Sequence, residues 1–252
     1  MGAIASKFLS RFRSKRIAGV VDDYMENRRD YYTGPDGVQT KSVLMIEVIM
    51  KRLVGEFGDL PIKKFSPQTM KQFQRHCIED DLARSTINAY RQQVLAFLEW
   101  CASEQVIPVE IYQAVRTVKA LRKNRGGARE AKPVGPVAPA DVFRLHRFIR
   151  PVFYKLARLH MHTGARPGEL INLRPMDIDQ RGDVWIVKPE AHKTAYLGKE
   201  RLIAFGPRCQ AILRELMEDL PAFSYIFSPN GGRTPYSVGS WRRATYRACD
   251  NA

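Results

Sequence analysis

The stretch HTGARPGELINLRPMDI, residues 162–178, sets one permanent cation, Arg166, between a Thr163-Gly164 break and the first turn of an apolar-faced helix. Arginine presents a planar fork that grips two oxygens of one anion, which lysine cannot do. N–H groups in a helix's first turn favour the same anions. Glu169 follows one turn later. It can neutralise the guanidinium as an ordinary surface pair, contributing about a few tenths of a kcal/mol, or it can orient it. The chemistry that these types and this spacing allow is the gripping of a phosphate.

The charge of the whole chain points the same way. Among 252 residues, 41 are Lys or Arg and 26 are Asp or Glu, a formal net charge of +15. The excess is spread along the chain, with +7 in residues 1–130 and +8 in the remainder. Such a balance implies a polyanionic partner, nucleic acid or an anionic membrane. Apolar residues make up 44%, enough for a sizeable core.

Other chemistries find little support. The cysteines Cys77, Cys101, Cys209 and Cys249 are far apart and form no Cys-x-x-Cys pair. A zinc site or disulfide framework is therefore not expected, and a reducing, cytoplasmic compartment fits. His160 and His162, two apart, point to different sides of a helix and read as structural or solvent-facing, so no metal is expected. No cofactor is implied. No apolar run is long enough to span a bilayer. The N-terminus MGAIASKFLSRFRSKR combines a Gly2/Ser6 myristoylation pattern with Ile4, Phe8 and Phe12 at helical spacing. It reads as a frayed basic arm, with lipid anchoring as the rival reading, so no membrane partner is expected.

Several elements must position Arg166. Thr33-Gly34-Pro35-Asp36-Gly37 is dense turn chemistry, so residues 1–39 read as a basic arm and loop. Helical periodicity starts at Thr40 and runs to Gly58. Ser66-Pro67 caps a second helix, Ser85 a third, and Pro108 precedes a fourth. Residues 40–121 thus form a helical domain. Residues 122–139, RKNRGGAREAKPVGPVAP, read as a linker whose Arg122, Lys123, Arg125, Arg129 and Lys132 would suit a phosphate backbone. Residues 140–252 form a second domain. In it, helices from Asp141 and Val152 lead to Gly164, strands lie around VWIV and RLIAF, one helix runs from Pro207 to Leu220, and another starts at Ser240.

The box with Thr163-Gly164, Arg166, Glu169-Leu170, Leu173 and Asp177-Ile178 resembles the first arginine box of the tyrosine recombinases, the phage integrase family. HKT followed by GKERLIAFGP resembles that family's lysine-bearing hairpin. STINAYRQQVLAFLEWCASEQVIP resembles a helix of its core-binding domain. The similarity spans roughly residues 40–250 in family order.

The resemblance implies a mainly α chain with a small β-hairpin or sheet. It implies a SAM-like helical core-binding domain followed by the N-terminal part of a mixed α+β catalytic domain. The implied chemistry is metal-free transesterification on double-stranded DNA through a 3′-phosphotyrosyl bond. Arg166 would hold non-bridging phosphate oxygens, supported by Glu169. Lys193 would protonate the leaving oxygen, with Lys199 as runner-up. Family members enclose the duplex between two domains. By that analogy Arg84, Ser85, Thr86, Asn88 and Arg91 on the third helix, linker residues Arg122, Lys123 and Arg125, and Arg242 and Arg243 on the last helix are expected DNA contacts.

The resemblance also has a gap. The family carries a His-x-x-Arg box and a nucleophilic tyrosine downstream of the hairpin. None of the five histidines here is followed three residues later by arginine, and Tyr236 and Tyr246 come too early in the order. A C-terminally truncated recombinase and a non-catalytic DNA-binding derivative both fit, and either is expected to leave strand cleavage incomplete. Full-length family members tetramerise on DNA, whereas a monomer in solution is expected here.

Overall fold

The computed structural model describes residues 16–34, 37, 39–40, 42–189 and 200–251. The chain divides into two units, residues 1–133 and 134–252. It is mainly helical with one small antiparallel sheet, as the sequence suggested. The Ile4, Phe8, Phe12 pattern and both candidate lysines, Lys193 and Lys199, lie outside the described residues.

The first unit contains α1 (Ile17–Tyr31), α2 (Ser42–Phe57), α3 (Pro67–Glu79), α4 (Arg84–Ser103) and α5 (Val109–Arg116). The central helix is α4, which packs against all four others. Its buried stripe, Ile87, Val94, Leu95, Phe97, Leu98 and Cys101, recurs at helical spacing and meets Phe73 of α3 and Tyr24 of α1. Ser66 caps α3 as its sequence implies, accepting from the Thr69 amide at 3.3 Å ahead of Pro67.

Three boundaries differ from the sequence reading. Residues 17–31 are not part of an arm: Ile17, Val20, Val21 and Tyr24 are buried in the first core. The turn cluster at Thr33 follows this helix rather than opening the fold. Ser85 is not a cap either. Helix α4 starts at Arg84, whose amide donates to the Arg129 carbonyl at 2.8 Å, within a short parallel bridge between Ala83 and Arg129. The first part of the expected linker is therefore tied down. Arg129 Nε donates to Asp81, and Ala128 packs on the core.

The second unit contains α6 (Pro139–Arg144), α7 (Pro151–Thr163), α8 (Pro167–Ile171), β1 (Ile178–Asp179), β2 (Trp185–Val187), β3 (Ile203–Phe205), α9 (Pro207–Met217) and α10 (Val238–Asp250). The strands run in the order β1-β2-β3, all antiparallel, with Trp185 opposite Phe205 and Ile178 opposite Val187. Strand β1 had no counterpart in the sequence reading, because two residues carry no readable period. One face of the sheet is buried through Ile178, Trp185, Val187, Ile203 and Phe205. Helix α7 is the hub, packing against α6, α8, α9, α10 and β3. The last helix opens at Val238, with Ser237 accepting from the Ser240 amide at 2.9 Å; Ser240 is the third residue of the helix, not its cap.

Asn88 gives a direct handle on the first unit. Its amide nitrogen donates to the Leu121 carbonyl at 3.0 Å and its oxygen accepts from the Leu121 amide at 2.8 Å. Asn88→Ala removes both bonds and leaves two backbone groups without them. Destabilisation of about 1–3 kcal/mol is expected, read from the midpoint of urea unfolding with an unchanged m-value.

Candidate anion-gripping site

Arg166 stands at the head of α8, and the turn before it is tightly built. Gly164 closes α7 at φ 61°, a left-handed conformation that glycine adopts at little cost. The Thr163 hydroxyl donates to the Leu159 carbonyl at 2.7 Å and accepts from the Ala165 amide at 3.2 Å. His160 Nδ1 lies 2.6 Å from the Ala165 carbonyl, and its ring meets the Trp241 ring edge-on at 5.7 Å. Ala165 is fully buried. The backbone leading into Arg166 is thus held from both sides, with α10 contributing through Trp241. His162, nearby on α7, is held below the usual histidine range by burial and by Arg158 and Arg208.

Glu169 is the centre of the site. Its side chain is only 5% exposed. Oε1 accepts from Arg166 Nη1 at 2.7 Å, and Oε2 accepts from the Arg166 backbone amide at 2.9 Å. Oε2 also accepts from Arg201, at 3.4 Å from Nε and 3.2 Å from Nη2. One buried carboxylate therefore holds two guanidiniums. Arg166 remains 47% exposed and Arg201 34% exposed, so both still face solvent. Burial alone would push the Glu169 carboxyl up, but the bonds from Arg166 and Arg201 outweigh it and hold the group below its ordinary value.

This arrangement corrects one step of the sequence argument. Helix α8 has five residues, and the Arg166 amide at its head is already bonded to Glu169. The helix end offers no anion site of its own. What remains for an anion is the outward side of the guanidiniums.

Sequence reasoning missed Arg201, having read its segment as a strand and weighed only Lys199 there. The signal was present. Arg201 shares the parity of Ile203 and Phe205, which face the core, and a cation on an inward face needs a buried carboxylate.

The remaining expected contacts fall into two groups. Some have internal partners: Arg84 Nε pairs with Glu130 at 2.6 Å, and Arg91 Nε donates to the Val118 carbonyl at 2.8 Å. Asn88, as described, is bonded to Leu121. Others are open: Ser85, Arg122, Lys123, Arg125, Arg242 and Arg243 are exposed, and Thr86 is half-buried. Arg91 also lines a cavity of about 410 Å³ with Arg116 and Lys119. Arg243 lines a shallow groove with Arg150 and Arg247 over Phe148 and Phe153. Among the described residues, no cluster of His, Cys, Asp or Glu is suited to hold a metal ion, and no helix is long and apolar enough to cross a membrane.

Comparison with solved structures places the architecture. The Tn1549 transposon integrase, in complex with circular intermediate DNA, aligns over 95% of this chain and 80% of its own, with a TM-score of 0.67 and 18% identity. A lambda integrase dimer bound to a COC′ core site aligns over 99% and 67%, with a TM-score of 0.72 and 15% identity. The chain has the integrase fold. A lambda integrase tetramer bound to a Holliday junction aligns similarly, over 99% of this chain and 70% of its own, with a TM-score of 0.71 and 15% identity. Neither protein-family models nor curated protein sequences gave a match. The likeness to integrases thus lies in the fold.

The charge on Glu169 sets a pH dependence. Its folded-state pKa is depressed, so its contribution to stability is full above the ordinary carboxylate pKa and is lost as pH falls through the lower, folded value. Glu169→Gln should flatten the acid limb of thermal stability relative to the parent chain, measured by scanning calorimetry between about pH 6 and 3. An unchanged acid limb would contradict the shared-carboxylate geometry.

Proposed function

We propose that this chain is a DNA-binding unit of a tyrosine recombinase, using Arg166 to grip a phosphate of duplex DNA. The observation that carries the reading is a guanidinium held from behind by a buried carboxylate while its outer side faces solvent. A fixed cation of this kind stabilises charge that develops on a phosphate without reorganising. The integrase fold and the DNA held by the similar integrases support the reading, as does the spread of basic charge over both units.

In this proposal Lys193 protonates the leaving 5′ oxygen, with Lys199 as the alternative. A flexible ammonium whose pKa falls near other cations suits that step. Arg84, Ser85, Thr86, Arg122, Lys123, Arg125, Arg242 and Arg243 contact the backbone. Asn88 and Arg91 act mainly by fixing the segment after α5. A non-catalytic DNA-binding role is the second reading.

The test uses the 252-residue chain and duplex DNA. With about 6–10 phosphate contacts, affinity should fall by roughly 10³–10⁵ between about 50 and 200 mM salt. A flat salt titration contradicts the proposal. On a suicide duplex the chain by itself should form no covalent adduct, scored by denaturing gel; an adduct would show that a nucleophile is present after all.

A further inference from the structure

We propose that Arg201 is a second phosphate-gripping guanidinium, placed beside Arg166 by the carboxylate they share. The inference rests on the DNA-binding reading above and adds a residue to its site. A structural ion pair needs one cation for one carboxylate. Here a single Glu169, nearly excluded from water, serves two, so the cluster carries one excess positive charge. Two guanidiniums gathered around one carboxylate repel each other. An incoming anion relieves that repulsion.

The geometry leaves both cations free to act. Arg166 gives its side-chain Nη1 to Glu169, and Arg201 gives Nε and Nη2. Most of the N–H donors on each fork have no partner among the described residues. Arg201 reaches Glu169 through two longer bonds, 3.2 and 3.4 Å, against 2.7 Å for Arg166 Nη1, and it keeps 34% of its side chain exposed. Because both forks bond oxygens of one carboxylate, the two guanidiniums are neighbours. The two come from different elements, Arg166 from the head of α8 and Arg201 from the approach to β3. Their meeting is a product of the fold, not of sequence proximity.

The experiment measures DNA binding of the full chain by fluorescence anisotropy across a salt series. Arg201→Gln removes the charge but keeps a donor for Glu169. It should lower the slope of log K against log [salt] by about 0.9, the effect of one lost phosphate contact, and Arg166→Gln should do the same. Arg201→Lys should restore most of the slope. A wild-type slope in a folded Arg201→Gln chain overturns the proposal and leaves Arg201 as a structural partner of Glu169. A parent chain that binds no DNA instead overturns the reading on which this rests. A measurement on the unaltered chain removes dependence on variant folding. Duplex DNA should protect Arg201, along with Arg166, from phenylglyoxal modification followed by mass spectrometry. Protection of Arg166 without Arg201 overturns the proposal.

Discussion

A carboxylate removed from water is tolerated only when its charge is met by cations and its lone pairs are filled. Glu169 meets that condition through Arg166 and Arg201, and the second unit is arranged around this constraint. The left-handed Gly164, the Thr163 hydroxyl and the His160–Ala165 bond fix the turn that delivers Arg166. Arg201 arrives from the segment that leads into β3, two residues before Ile203. Without the carboxylate, two cations would be crowded together; without the cations, a charge would be stranded in the core.

The first unit also spends polar side chains on internal partners, backbone carbonyls and the Glu130 carboxylate. Arg91 and Asn88 on α4 bind the chain between Arg116 and Leu121, and Arg84 pairs with Glu130. These polar side chains tie the segment after α5 to the central helix. The segment from Arg122 to Arg129 therefore leaves the core as a pinned strap before the chain passes to the second unit. A basic side chain in this protein is thus often structural first, and the net charge of +15 overstates how much of it is free for a partner.

Much of the architecture was legible in the sequence. The apolar stripes of α2, α3 and α4, the Ser66-Pro67 start and the Gly164 stop follow from helical periodicity and cap chemistry. Helix α1 was hidden because its buried Val20, Val21 and Tyr24 are interspersed with charged residues and followed by an eye-catching turn. Strand β1 is too short to show a period. At the site, the Arg166–Glu169 spacing was readable, but whether it was a surface pair or a buried brace depended on burial, which no local pattern encodes. Arg201 was readable only by extending the alternation of Ile203 and Phe205 back past the start of the strand, and its partner lies 32 positions away. The internal roles of Asn88 and Arg91 could not be seen, because their acceptors are carbonyls of a distant segment.

The central claim is that Arg166 is pre-held by Glu169 and meets a phosphate with its outer side. Nitrogen-15 NMR of the arginine guanidinium groups tests it most directly, with the Arg166 signal assigned by Arg166→Lys. The account predicts a resolved, slowly rotating Arg166 guanidinium in the free chain that shifts further when duplex DNA is added. An Arg166 signal that averages freely in the absence of DNA, or stays in place while other arginines shift, would contradict it.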